Sequence, residues 1–264
     1  MSTPQTPALQ DWQDWRERRL AAVSAPYGPL ALTGTHWLAD HPDGRIAGLP
    51  GIWTADGDGV VLRAGDGDRL TVDGRPAAGA VRIGPDTAPD ATRVRQGARH
   101  LLVLRREDQW AVRDFDPGAA NRRDFAGIDV YDHDERWIRP GLFRPYGERR
   151  SVEVPHADGA RRGLGLAGEL AFTLDGDEHT LQVAVEADGS LWAVLADAGS
   201  GTDSYRFRFL RPPAPAADGT VSVDLNRTQL PPCAFADHFL CPFPPPGNTL
   251  PFALRAGERN RRRS

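Results

Sequence analysis

The sequence predicts a mainly β protein with a single helix at its start followed by two β-rich units. Three observations carry that expectation. Apolar residues recur at helical steps only near Leu9–Val23, and from Pro29 onward Gly and Asp punctuate short runs of alternating polarity. A complement of 28 Gly and 23 Pro in 264 residues supplies turns for many short elements. Hydrophobic residues at 40% and charged residues at 26% are enough for a packed core and too balanced for a disordered chain. The expected organisation is a helix and linker over 1–28, a first β-rich unit over 29–120, a second over 121–258 and a basic tail over 259–264.

In the helix, Leu9, Trp12, Trp15 or Arg16, Leu20 and Val23 line one face, and Pro26 and Gly28 stop it. Two tryptophans on so short an element serve to dock it onto the body of the protein. In the first β unit, the pairs Asp56-Gly57, Asp58-Gly59 and Asp73-Gly74 favour tight hairpins, because Gly accepts a positive φ and Asp tolerates it. The stretch HLLVLRREDQWAVRDF adds a hairpin with RRED at its turn.

Asn121–Tyr146 lacks a clear period and reads as a connector with some extended structure, after which SVEVPHADG opens the second unit. Strands are expected at Glu169–Leu174, His179–Glu186, Leu191–Ala196, Ser204–Leu210 and Thr220–Asn226. The spacing suits a split barrel or a sandwich. In the last of these strands Val221, Val223 and Leu225 face inward, which sets Ser222, Asp224 and Asn226 on the opposite face as the rim of a pocket.

Charge and motifs exclude several functions. A net charge of -4 argues against a nucleic-acid partner, and no run approaches the roughly 20 apolar residues that cross a bilayer. With an opening that lacks the features of a secretory signal, the expected location is the cytoplasm. All 32 basic residues are Arg, as a GC-rich bacterial coding sequence would give, and the local cluster Arg259–Arg263 reads as a solvated end. The nucleophile elbow, the phosphate-binding loop, H-E-x-x-H and paired C-x-x-C are all missing, so the common hydrolase, nucleotide and zinc signatures fail.

The closing segment GTVSVDLNRTQLPPCAFADHFLCPFPPPGNTLPFALRAGER resembles that of the uncharacterised bacterial family DUF1684. Asp224, Asn226 and Arg227 precede Pro231-Pro232-Cys233-Ala234-Phe235; Cys241-Pro242, Asn248, Leu250 and Ala256-Gly257-Glu258 follow in order. Arg123-Asp124-Phe125, Phe143–Tyr146, the strand entry DAGSGTDSYRFRFL, DWRERRL and TGTHWL are also similar, with a weaker likeness over 40–98. The resemblance implies a family without an agreed activity.

The residues leave several chemistries open. Cys233 and Cys241 lie close enough in sequence to meet in one loop, as a structural pair, reduced or bridged, or with Cys233 as a nucleophile. With His238 they supply only three ligands, so no metal site is expected. Arg122, Arg123 and Arg227 are candidates for anion recognition through the guanidinium fork, with Ser200, Thr202 and Tyr205 adding hydroxyl donors. A split barrel would bring FMN into view by analogy of fold alone.

The leading expectation is a small-molecule-binding β protein. Its pocket would draw on Arg122, Arg123, Ser200, Thr202, Tyr205, Asp224, Asn226, Arg227, Cys233, Cys241 and Asn248. The alternatives are an enzyme, flavin-dependent or built on Cys233 or Asp224, and a structural clasp without catalytic role.

Overall fold

The computed structural model describes residues 6–264. It divides into two compact units, residues 21–124 and a second that joins the residues up to Leu20 to Phe125–Ser264. Both the N-terminal segment and the basic tail therefore belong with the second β-rich unit. Helix α1 spans Pro7–Ser24. Trp12 and Val23 are buried as the helical stripe requires, whereas Leu20 is 43% exposed. Arg19 takes an inward position instead, its guanidinium 5.5 Å from the Phe235 ring.

In the 21–124 unit, a six-stranded sheet has the order β1 (Leu32–Trp37), β9 (Gln109–Phe115), β8 (Arg99–Arg106), β7 (Val94–Gln96), β4 (Leu70–Val72), β5 (Arg75–Pro76). A second sheet has the order β2 (Ile52–Asp56), β3 (Gly59–Ala64), β6 (Gly79–Ile83). Trp53, Val60, Leu62 and Ile83 from the smaller sheet share one core with Leu70, Leu101, Val103 and Val112 from the larger, as in a sandwich. The hairpins sit where the DG pairs predict them: Asp73 and Gly74 have φ of 50° and 77°, the two positive values of a type I′ turn.

The other unit carries β10 (Phe125–Val130), β11 (Ile138–Pro155), β12 (Arg161–Leu174), β13 (Asp177–Val185), β14 (Leu191–Asp197), β15 (Arg208–Leu210), β16 (Thr220–Asp224), β17 (Thr249–Leu250) and β18 (Glu258–Arg263). Its large sheet has the order β15-β14-β13-β12-β11-β16, with β17 parallel to β14, and it curls into a half-barrel. The curl follows from a register slip: β11 advances from Pro145 to Arg150 while β12 advances only from Gly168 to Leu166. Gly168 permits the close pass just before it, since a Cβ there would sit 2.5 Å from both the Arg144 carbonyl and the Phe143 ring. Leu170, Leu181, Val183, Leu191, Leu195 and Val223 share one buried core.

Three sequence expectations differ from what forms. The Asn121–Tyr146 connector, expected to hold only some extended structure, is strand over much of its length, in β10 and the first half of β11. Its side chains are mostly half-buried, so the backbone pairs without leaving an apolar period. The strand Thr220–Asn226 stops at Asp224 and turns into a 3-10 helix over Leu225–Arg227, which takes Asn226 off the face shared by Ser222 and Asp224. Finally, Arg259–Arg263 is not a loose end, because β18 pairs with the otherwise unpartnered β10.

Candidate functional site

The side chains singled out in the closing segment are gathered into one polar framework, most of it turned inward. Asn226 is 1% exposed and makes a two-way pairing with Asp134, accepting from its N–H and donating to its carbonyl, both at 3.1 Å. Its own carbonyl accepts the Trp12 indole N–H at 3.0 Å, which docks α1. Asp224 accepts from the Asn226 amide and from Arg227 Nε, and Arg227 Nη2 reaches Asp11 on α1. Arg19 binds Glu258 through Nε at 3.0 Å, and Glu258 also accepts the Leu230 N–H.

Arg208 and Asp197 form the deepest part of this framework. Arg208 is fully buried and donates to Asp197 at 2.9 Å and to the carbonyls of Leu254, Ala256 and Glu258. Burial lowers the arginine's pKa against the opposing pull of Asp197. Sequence reasoning passed over this pair, although an Arg alternating with Phe207 and Phe209 in an apolar strand was the available signal. Ser200 Oγ donates to Asp197 and Thr202 Oγ1 to the Gly199 carbonyl, so both hydroxyls hold the turn at 197–204.

Arg122 and Arg123 belong to the 21–124 unit and the other candidates to the second. Arg122 donates to the carbonyls of Pro117 and Ser24, and Arg123 to that of Gly118. Each anion-binding fork named from the sequence is thus engaged by a carbonyl or a carboxylate.

Two places in the second unit hold residues named from the sequence with chemical capacity to spare. One is an open cleft of about 620 Å³ lined by Ile138, Leu210, Pro212 and Pro213 on its apolar side and by Asp188, Ser190, Arg211, Ser222, Asp224 and Arg227 on its polar side. Ser222 and Asp224 reach it together, as the alternation in β16 predicts. The other is the enclosed surround of the two cysteines. Cys233 and Cys241 are unbridged and pack with Phe207, Phe209 and Val194. The Cys233 N–H points at Cys241 Sγ at 3.4 Å, and the Tyr205 hydroxyl lies 3.6 Å from Cys233 Sγ.

A hydrogen bond from the Cys241 thiol, a second from Tyr205 and the charge of Arg206 outweigh burial and pull the Cys233 thiol down to about 7. Tyr205 shifts the other way, raised by burial and by the neighbouring sulfur. Among the described residues no three His, Cys, Asp or Glu side chains gather as metal ligands.

The fold and this framework define a mainly β protein whose closing segment clasps a helix and a curled sheet together. A family model described as "Protein of unknown function (DUF1684)" matches residues 123–259, and the chain belongs to that family. The match falls on the second unit; the similar segments DWRERRL and TGTHWL lie outside it. Among solved structures, the solution NMR structure of the uncharacterised protein from gene locus rrnAC0354 of Haloarcula marismortui is 30% identical. The match covers 52% of this chain and 78% of that one, with a TM-score of 0.44. Curated proteins give no match.

Proposed function

We propose that this protein binds a small molecule rich in hydrogen-bond donors, a polyol or an amine, in the cleft beside β16. The observation that carries the reading is the cleft itself. Its volume of about 620 Å³ lies in the range of small-molecule sites, and it sets a leucine and two prolines against convergent polar groups. Asp188 leaves an acceptor unspent in it, while both arginines of the lining already face carboxylates. Arg227 gives Nε and Nη2 to Asp224 and Asp11, and Arg211 lies 3.4 Å from Glu186. Asp188 uses one oxygen on Ser190 and keeps the other for a ligand.

FMN is a poor fit to such a lining, because its phosphate would meet Asp188 and Asp224 while the Arg227 fork is committed elsewhere. A net charge of -4 likewise favours a small-molecule partner over nucleic acid. No described helix is long and apolar enough to cross a membrane. A cytoplasmic location is part of the proposal, supported by two thiols left unbridged.

Thermal-shift screening against sugars, polyols and amines, with carboxylates as the contrast set, tests the reading. A ligand at about 100 times its Kd adds roughly 2.7 kcal/mol, or about 5–10 °C in Tm. Ser222→Trp, a change at an exposed position of the cleft wall, removes that shift while leaving the unliganded Tm near its original value. A panel without a single donor-rich ligand, or a shift unaffected by Ser222→Trp, overturns the assignment.

A further inference from the structure

The cysteine pocket carries a second inference, independent of the cleft. We propose that Cys233 and Cys241 form a redox-active dithiol that reacts with hydroperoxides, Cys233 as the attacking sulfur and Cys241 as the resolving one.

The geometry separates the two roles. The Tyr205 hydroxyl lies 3.3 Å from the Cys233 carbonyl oxygen and 3.6 Å from Cys233 Sγ, so its proton can turn from the carbonyl to a thiolate formed there. Arg206 stands nearby with its guanidinium 4.6 Å from the Phe243 ring centroid and 5.7 Å from that of Tyr205. Cys241 Sγ instead faces the Cys233 backbone N–H at 3.4 Å, so the same short loop brings the second thiol to the first. A neighbouring imidazole, His156, gives its Nδ1 to the Leu240 carbonyl at 2.9 Å. The remaining wall is apolar, with Phe207, Phe239, Phe243 and Ala157.

Burial selects the oxidant. Cys233 and Cys241 are 5% and 6% exposed, which admits a molecule the size of hydrogen peroxide far more readily than a bulky disulfide. In the first step the Cys233 thiolate attacks one peroxide oxygen; the S–O bond forms as O–O breaks, sulfur loses two electrons, and the departing hydroxide takes a proton to become water. In the second, Cys241 sulfur attacks the Cys233 sulfenic sulfur; the S–S bond forms, S–O breaks, and the hydroxide leaves as water with the Cys241 proton. Two thiols and one peroxide give one disulfide and two waters. A thiol reductant returns the pair to its starting state.

The pH profile follows from the same surroundings. With the Cys233 thiol near 7, thiolate at neutral pH is about 15-fold more abundant than for an ordinary cysteine, and its lower basicity returns roughly 5-fold, for a net gain of about 3-fold. The full-length protein is treated with hydrogen peroxide, and intact mass, dimedone labelling and iodoacetamide alkylation are followed from pH 5 to 10. The expected product is about 2 Da lighter and closed to alkylation until dithiothreitol is added. Cys241→Ser stops at a dimedone-reactive Cys233, and Cys233→Ser removes peroxide reactivity. Tyr205→Phe and Arg206→Gln move the alkylation midpoint upward without unfolding the protein. Reaction no faster than that of the denatured chain at pH 7, or a midpoint unmoved by both Tyr205→Phe and Arg206→Gln, overturns the proposal.

Discussion

Asn248 gives the sharpest test of how the curled sheet is held. β13 and β14 pair directly at only two positions, Ala184 with Trp192 and Val185 with Leu191. Beyond them the Asn248 side chain stands in for the missing ladder. It accepts from the Gln182 N–H at 2.8 Å and donates to the carbonyls of Gln182 and Val194, both at 2.9 Å, with no exposure to solvent. Asn248→Ala leaves a backbone donor and two acceptors without partners. At about 1–3 kcal/mol for each unsatisfied buried group, and allowing for partial rehydration, the loss is about 3–5 kcal/mol. For a chain of this size that lowers Tm on the order of 10 °C.

Asn248→Asp separates the amide's roles. The introduced carboxylate still accepts from Gln182 N–H but faces two carbonyl oxygens, so its folded pKa rises above its unfolded value. The unfolded chain then releases its proton first as pH rises, and stability falls through that window; acidification restores it in part. Urea unfolding of both variants between pH 4 and 8 measures the outcome. A loss below 1 kcal/mol for Asn248→Ala, or an Asn248→Asp stability that does not improve toward low pH, refutes the role of the amide as a strand bridge.

Two further outcomes follow from buried polar groups. Arg208→Met strands the Asp197 carboxylate and three carbonyls, and urea titration is expected to show a loss of about 3–5 kcal/mol. His100 in the 21–124 unit is buried, stacks on Tyr27 and donates from Nδ1 to the Pro89 carbonyl at 2.6 Å; burial holds its pKa below 6.5. The unfolded state therefore takes up the proton first, so the contribution is present above pH 6.5 and is lost as pH falls toward the folded pKa. Tm measured from pH 8 to 5 falls more steeply for the parent than for His100→Gln.

How much of this was legible in the sequence depended on whether a side chain's partner was local. The hairpins were legible because Asp73-Gly74 and its neighbours determine their own φ. The buried stripe of β13 was legible because Leu181 and Val183 alternate with polar residues. By contrast, β10 becomes a strand only through β18, whose residues lie more than 120 positions further on. Nothing in FAGIDV announces that partner. The candidate site divides along the same line. Ser222 and Asp224 share a strand face and reach one cleft, while Asn226 leaves that face because Asp224 caps a 3-10 turn by accepting the Asn226 N–H at 3.0 Å.

The inward polar side chains of this chain's closing segment are spent on this framework. A sheet that curls must let its strands part, and where β13 and β14 part, an inward polar side chain supplies the lost hydrogen bonds. Asn248 is that side chain, and Arg208, on β15 where it pairs with β14, ties the 254–258 backbone to the sheet. Glu258 and Asn226 extend the same service to α1 through Arg19 and Trp12. A buried amide or guanidinium whose partners are fixed is poorly placed to meet a ligand. Both proposals therefore rest on groups outside this framework: the second oxygen of Asp188 in the cleft, and the Cys233 sulfur beside Tyr205. Of the two, the thiol is the more informative probe, because its reactivity reads the surrounding charges directly, whatever ligand the cleft takes.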